Sequence, residues 1–543
     1  MQSGRFFATT GLLVGTFFFA LSMTPTLLPR QAVMQGLVSG FSLAAGYGVG
    51  VLGQWLWFYF ELPRPRKQIQ VIIKLVAAGI CFIAMVIFLW QSNSWQNSVR
   101  VLMGMEEEGG IQPLVIGTVA IAVFLAVLLV ARSFRWTKRQ ISKRMNRYVP
   151  PRVAYVSSLI VAFFLFWSVV DGVLFSSLLR MADTSYRQVD ALVEPDMERP
   201  GDPMKTGSLD SILTWEEMGR QGRRFLSGAL TKEQLQVFSH DTVRDPIRVY
   251  VGMNAADTPE IRAELALAEL KRVGAFDRKV LLLITPTGTG WVDPPAVDAM
   301  EYLFKGDIAS IAAQYSYLPS ALSLIVEDQY GAEMARALFQ KIYGYWTSLS
   351  QATRPRLYLH GLSLGALNSD RSFDFYDIIN DPFDGVLWVG PPFRKDTWRS
   401  ITNLRNSGSP AWLPRFRDGS VVRFANQNGG LERGDEEWGS FRIAYLQYAS
   451  DPITFFEPTS FTREPEWMQD PRGPDVSHEL RWYPVVTGVQ LVADMLVGTG
   501  APTGYGHEFA ATHYLEAWLA LAEPEGWLPE QLEQLRRHFA ENY

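Results

Sequence analysis

Five long apolar runs in the first third of the chain constrain its fold more than any other feature. They lie at about 6–28, 32–60, 69–90, 113–131 and 153–179. Each is long enough to cross a hydrocarbon layer, which takes about 20 helical residues. Core helices of soluble domains do not run this long with so few charges. Charged residues make up 19% of the 543 residues, against roughly 25% in ordinary globular chains, and the deficit sits in these runs. The pattern predicts an all-α transmembrane bundle of about five helices over residues 1–180.

Loop charges orient that bundle. Arg64, Arg66 and Lys67 lie between the second and third runs. Arg132, Arg135, Lys138, Arg139, Lys143, Arg144, Arg147 and Arg152 lie between the fourth and fifth. The loop between the third and fourth carries Arg100 but also Glu106, Glu107 and Glu108. Excess positive charge stays in the cytoplasm, so the N-terminus is expected to be cytoplasmic and everything beyond about residue 179 outside. A signal-peptide reading of the first run finds only Arg5 as a nearby basic residue and no small-residue cleavage site.

Net charge of −5 and a pI near 5.8 argue against a nucleic-acid partner. The single cysteine, Cys81, falls in the third run, so the outer region uses no disulfides. In the second run Gly36 and Gly40, then Gly46 and Gly50, are spaced four apart, with Gly48 and Gly53 nearby. Such spacing lets helix backbones approach closely, within one bundle or between two copies in a homo-oligomer. Two ionisable residues fall inside runs. Lys74 can snorkel from a cytoplasmic end, and Asp171 reads as an interfacial carboxylate.

Residues 181–245 are polar, contain Pro200-Gly201-Asp202-Pro203, and read as an extracytoplasmic linker with short helices, one at 215–226. From 246 to 543 the pattern alternates. Strands are expected at 247–251, 280–284, 357–360 and 441–447, and a helix at 259–272. Such alternation predicts an α/β domain, a mostly parallel sheet with helices on both faces. Val421-Val422-Arg423-Phe424 reads as an additional strand, which leaves open which strand carries an acid.

Chemistry concentrates in this domain. Gly361-Leu362-Ser363-Leu364-Gly365 follows the strand at 357–360 and precedes small residues able to open a helix. A serine at a sharp strand-to-helix turn, flanked by glycines, is the setting of a nucleophile elbow. The strand at 280–284 runs into Thr285-Pro286-Thr287-Gly288-Thr289-Gly290-Trp291. That loop matches neither phosphate-binding spacing. As an oxyanion loop it fits, with the N–H groups of Thr287 and Gly288 joining that of Leu364.

A serine nucleophile needs an acid and a histidine after it. Asp451 directly follows the strand at 441–447, and Asp475 is its rival. Of six histidines, His240 and His360 precede the serine, and His360 ends the elbow strand. His538 lies in a polar terminal helix and reads as solvated. Among His478, His507 and His513, His507 sits in a glycine-flanked loop, Gly504-Tyr505-Gly506-His507-Glu508, before a helix at 509–521, where His513 packs. His507-Glu508 lacks a histidine four residues on, so the zinc motif HExxH is absent. Neither a metal nor a cofactor is expected.

The expected chemistry is acyl transfer. His507 takes the proton from Ser363, Asp451 stabilises the imidazolium, and backbone N–H groups hold the oxyanion. With a membrane bundle alongside, the reading is a serine esterase or lipase cleaving a lipid or envelope-linked ester outside the membrane. The alternatives are acyl transfer to an envelope acceptor and a non-catalytic transport or assembly protein using the fold as a binding platform.

Several strings look familiar together: 285–292, Gln314-Tyr315-Ser316-Tyr317-Leu318-Pro319-Ser320, Leu362-Ser363-Leu364-Gly365, Leu387-Trp388-Val389-Gly390-Pro391-Pro392, Ser450-Asp451-Pro452, Arg481-Trp482-Tyr483-Pro484 and 504–507. Together they resemble a bacterial family of integral-membrane alpha/beta hydrolases, with a multi-span N-terminal domain ahead of a serine-hydrolase domain. The resemblance covers essentially the whole chain. It implies an alpha/beta-hydrolase fold with Ser363, Asp451 and His507 at the triad positions, and a home in the bacterial cytoplasmic membrane.

Overall fold

The computed structural model describes residues 7–543 apart from 64, 111, 170, 171, 173–175, 193, 195, 196, 240, 321, 322 and 324–328. The expectations for Arg64, Asp171 and His240 fall outside the described residues. The chain divides into two compact units, 1–181 with 456–502 and 182–455 with 503–543. The polar stretch read as a linker thus belongs almost wholly to the second unit, where Leu213, Trp215, Met218 and Phe225 are buried. The helix expected at 215–226 runs from Gly219 to Ser227.

In the first unit five helices occupy the five apolar runs: α1 (Thr9–Leu21), α2 (Ala32–Tyr59), α3 (Lys67–Leu102), α4 (Pro113–Met145) and α5 (Pro151–Trp167). Among the described residues α2, α3 and α4 are long and apolar enough to cross a membrane. The other two runs hold shorter apolar helices, α1 with 13 described residues and α5 with 17, and residues 1–6 before α1 and 170, 171 and 173–175 after α5 lie outside the described set. Helix α1 stops at Leu21 because Pro25 and Pro29 follow, and proline cannot continue a hydrogen-bonded helix. The irregular segment from Ser22 to Arg30 is nonetheless almost entirely buried.

Helix α2 lies against both α1 and α4. Gly36 and Gly40 face Val119 and Val123 of α4, while Gly46 and Gly50 face Phe18 and Gly11 of α1. The spaced glycines therefore serve close packing within one bundle, and only Gly48 and Gly53 of α2 open onto free space. Helix α3 buries little besides Ser92 and Val99, leaving Ile72, Leu75, Ile80 and Phe82 exposed, the distribution expected of a surface solvated by lipid. Residues 456–502 complete this unit, and their helix Val486–Leu496 packs on α2.

The second unit is built on seven strands: β1 (Ile247–Val251), β2 (Val280–Thr285), β3 (Ile308–Ala313), β4 (Arg356–Leu362), β5 (Gly385–Val389), β6 (Val422–Ala425) and β7 (Arg442–Leu446). All pair in parallel in the order β1-β3-β2-β4-β5-β7-β6. Every residue of β2 is buried, as its unbroken apolar run requires of a strand covered on both faces. The helix Pro259–Arg272 has the expected boundaries. Pro259 fits its first turn and the Thr258 hydroxyl caps it. Pro294–Leu303 packs with Ala511–Ala522, and Pro259–Arg272 with Tyr330–Ser348.

The additional strand, β6, lies at the sheet edge and leaves β7 beside β5. Leu362 pairs with Val389, and Val389 with Leu446. The C-terminal ends of β4, β5 and β7 therefore finish level, and the loops leaving them share one edge of the sheet.

Candidate active site

Ser363 leaves β4 with φ of +55° and ψ of −122° and opens the helix Leu364–Asp370. A non-glycine residue rarely adopts positive φ, and strain of this kind persists only where the surroundings enforce it. The two flanking glycines show how. A Cβ on Gly361 would collide with the backbone of Gly365, and one on Gly365 with the Thr285 carbonyl oxygen. The turn closes only without those side chains, and it brings the helix start against the loop leaving β2. The Ser363 N–H donates to the Val389 carbonyl at 2.9 Å, and the side chain is buried.

Asp451 follows β7 and is fully buried. One carboxylate oxygen, Oδ1, caps the short helix Pro452–Phe455 by accepting the Ile453 N–H at 2.8 Å. The other, Oδ2, accepts the Thr454 hydroxyl at 3.0 Å and lies 2.7 Å from His507 Nδ1. That contact fixes the His507 ring with Nδ1–H donating, which leaves Nε2 as the free base position. Nε2 is buried and has no hydrogen-bond partner among the described residues. The ring rests on Gly390, where a Cβ would lie 2.6 Å from His507 Cε1. Since Ser363 bonds Val389 and His507 covers the next residue, β5 brings the serine and the imidazole to one place.

The His507 loop is tightly wound. The Gly504 N–H donates to the Glu508 carbonyl at 2.7 Å, and the Gly506 N–H to Ser450 Oγ at 2.9 Å. Sequence reasoning missed Ser450 and Thr454 as supports. The signal was present in Ser450-Asp451-Pro452, because Asp before Pro at a helix start is a capping pattern, and a capping carboxylate recruits nearby donors.

The rival acid Asp475 falls in the segment 456–502, which belongs to the other unit. His478, in the same segment, is exposed. His360 is buried with Nδ1 3.0 Å from the Leu387 carbonyl, and burial lowers its pKa to about 4. His513 contacts the Tyr448 hydroxyl at 2.5 Å, and burial lowers its pKa too. His538 is a correction. It is half-buried against Phe238 and Tyr302, with Nε2 3.1 Å from the Tyr302 hydroxyl. Its polar helix packs one edge on the sheet unit through Leu535 and Phe539.

The oxyanion-loop candidates divide. Leu364 begins its helix, so its N–H has no partner within that helix. The Gly288 N–H donates to the Ser320 hydroxyl at 3.1 Å. The Thr287 N–H is engaged inside the loop by the Trp291 carbonyl at 2.9 Å. Just beyond, Asp293 is half-buried. Burial, with Glu508 adding repulsion, raises its pKa to about 7.

A family model described as an alpha/beta-hydrolase family matches residues 247–535, and one described as the N-terminus of such a family matches residues 23–229. The chain belongs to the alpha/beta-hydrolase family. Neither the curated proteins nor the solved structures include a significant match. For an alpha/beta hydrolase, the parallel sheet and the strand–serine–helix turn are the expected scaffold.

Proposed function

We propose that this alpha/beta hydrolase is a membrane-embedded serine hydrolase that cleaves a lipid or envelope-linked ester outside the cytoplasmic membrane. The observation that carries the reading is the 2.7 Å contact of Asp451 with His507 Nδ1, beside a serine held in a strained elbow. In this mechanism His507 Nε2 takes the Ser363 proton as Oγ attacks the ester carbonyl. Asp451 stabilises the imidazolium and keeps its tautomer. The tetrahedral oxyanion is held by the Leu364 N–H and by the Gly288 N–H, whose present acceptor, the Ser320 hydroxyl, it would replace. His507 then returns its proton to the leaving alcohol, and water resolves the acyl-enzyme.

The outer location draws support from the first unit alone. Segment 456–502 meets the bundle at Ser22, Thr24, Arg30 and Ser98. Those residues lie at the α1–α2 turn and toward the end of α3, the opposite end from the basic α2–α3 and α4–α5 loops. Positive charge on the latter side marks it as cytoplasmic.

The test is labelling of detergent-solubilised, full-length protein with a fluorophosphonate probe. Wild type is expected to take one probe, and Ser363→Ala and His507→Ala to lose it. Folded wild type that resists the probe would overturn the serine-hydrolase reading in favour of a binding platform.

A further inference from the structure

The loop leaving β5 meets the surroundings of all three proposed triad members, and its one buried charge has no part in the proposed mechanism. Gly390 opens the loop beneath the His507 ring. Pro391 and Pro392 follow, and their ring-fixed φ angles stiffen the path. The Phe393 N–H donates to the Ile453 carbonyl at 3.0 Å, and the Ile453 N–H is the one that Asp451 Oδ1 accepts. Lys395 closes the loop, its N–H donating to the Pro392 carbonyl at 2.8 Å, just before the helix Asp396–Asn403. Every one of these residues belongs to the sheet unit.

The Lys395 side chain is fully buried, which lysine almost never is without a partner. Its Nζ donates to the Ala366 carbonyl at 3.1 Å and lies 3.5 Å from Asp370 Oδ1. The remaining side of the ammonium faces the Trp388 ring, 3.1 Å from its centroid. An ammonium has three N–H groups, and here they meet a carbonyl, a carboxylate and an aromatic face. Ala366 and Asp370 both belong to the helix that Ser363 opens, and the Ala366 N–H donates back to the Ser363 carbonyl at 2.9 Å. Trp388 precedes Val389, whose carbonyl accepts the Ser363 N–H. Lys395 thus grips the serine's helix from the strand that the serine itself is bonded to.

A helix of seven residues is too short to hold its place by its own hydrogen bonds. A cation on the side to which its carbonyls point suits its dipole. A buried ion pair is weak evidence for stability, and its best-attested use is to fix one arrangement among several. Resting on the triad reading above, we infer that Lys395 is a positioning residue, which holds the Ser363 helix in place against the loop that supports Asp451 and His507. The glycines set the shape of the elbow itself. Lys395 sets where that elbow stands relative to the acid and the base.

The experiment measures saturation kinetics of fluorophosphonate inactivation on full-length, detergent-solubilised protein, separating probe affinity from the inactivation rate constant. Lys395→Met keeps an apolar stem of similar length and removes the ammonium. It is expected to lower the rate constant about ten-fold or more with affinity retained, because small displacements of a reacting group cost that much. Folded Lys395→Met protein with the wild-type constant would overturn the inference. A loss shared equally by affinity and rate would place the damage in the pocket as a whole and would also overturn it. Removing one partner of a buried pair can cost the fold, whereas replacing both by apolar residues often leaves stability intact. Should Lys395→Met fail to fold, the double variant Lys395→Met with Asp370→Leu removes both charges. The same slowing is expected there, and a folded double variant with the wild-type constant would show that the pair serves stability alone and overturn the inference. If folded wild type takes no probe at all, the serine-hydrolase reading itself falls, and this role falls with it.

Discussion

The two halves of the candidate site are held in different ways. Ser363 and Leu364 sit on a five-residue turn closed by two glycines, one pressed against the turn's own backbone and the other against the Thr285 carbonyl oxygen. Asp451 and His507 are 56 residues apart in sequence, and the chain between them packs with the other unit. A nucleophile needs a local strain that its neighbours enforce. A base must keep its ring aligned while its proton load changes, and here that alignment depends on contacts distant in sequence. The contrast predicts that damage to the serine half will be all-or-none, whereas damage to the histidine half will be graded.

On the histidine half, Asp451→Asn gives the largest expected slowing. The amide can present its NH2 group to Nδ1 and favour the wrong tautomer, so inactivation by the probe should slow by about 10^3–10^4-fold without loss of fold. A slowing of less than ten-fold would mean that His507 needs no carboxylate. On the serine half, Gly365→Ala drives a Cβ into the Thr285 carbonyl oxygen. The elbow must open, and we expect labelling to disappear together with about 1–3 kcal/mol of stability. Normal labelling by this variant would show that the turn has slack the structure denies.

Gly390→Ala sharpens the comparison, because it touches the histidine half from the sheet side. Its φ is +51° and its Cβ would crowd the His507 ring, so the ring should tilt while Ser363 stays in place. A roughly 10- to 100-fold slower inactivation is expected, with probe affinity kept, since small misplacements of a catalytic group cost about that much. Equal loss in affinity and rate would instead place the damage in the pocket as a whole.

The same contrast explains what the sequence made legible. Gly361 to Gly365 announced the elbow because its physics is local, and the unbroken apolar run of β2 announced a buried parallel strand. His507 could be chosen by its glycine-rich loop. Asp451 could not be separated from Asp475, because only folding shows that 475 travels with the bundle. The edge position of β6 was equally hidden, since strand order depends on which edges meet in space. Helix α1 was read too long because apolarity alone ignores Pro25, which ends the helix whatever the hydropathy.

The smallest expected effect is thermodynamic and separates stability from chemistry. Asp293 follows the oxyanion loop, and its pKa of about 7 in the folded protein compares with 3.8 for an unperturbed aspartate. Below about pH 4 both folded and unfolded chains hold this proton, so it contributes no difference. Between about 4 and 7 the unfolded chain releases it while the folded chain keeps it, and stability falls as pH rises through that window. Above 7 the full penalty applies. A shift of about three units is worth at most about 4 kcal/mol, and screening of the partly exposed side chain lowers that. Asp293→Asn should therefore stabilise the protein by about 1–3 kcal/mol more at pH 8 than at pH 4, measured by denaturant unfolding. The rate of probe inactivation should keep its wild-type pH profile, because Asp293 moves no proton in the proposed reaction. A profile that shifts with Asp293→Asn would instead tie this carboxylate to the His507 loop through Glu508, and the two halves of the site would prove to be one electrostatic unit.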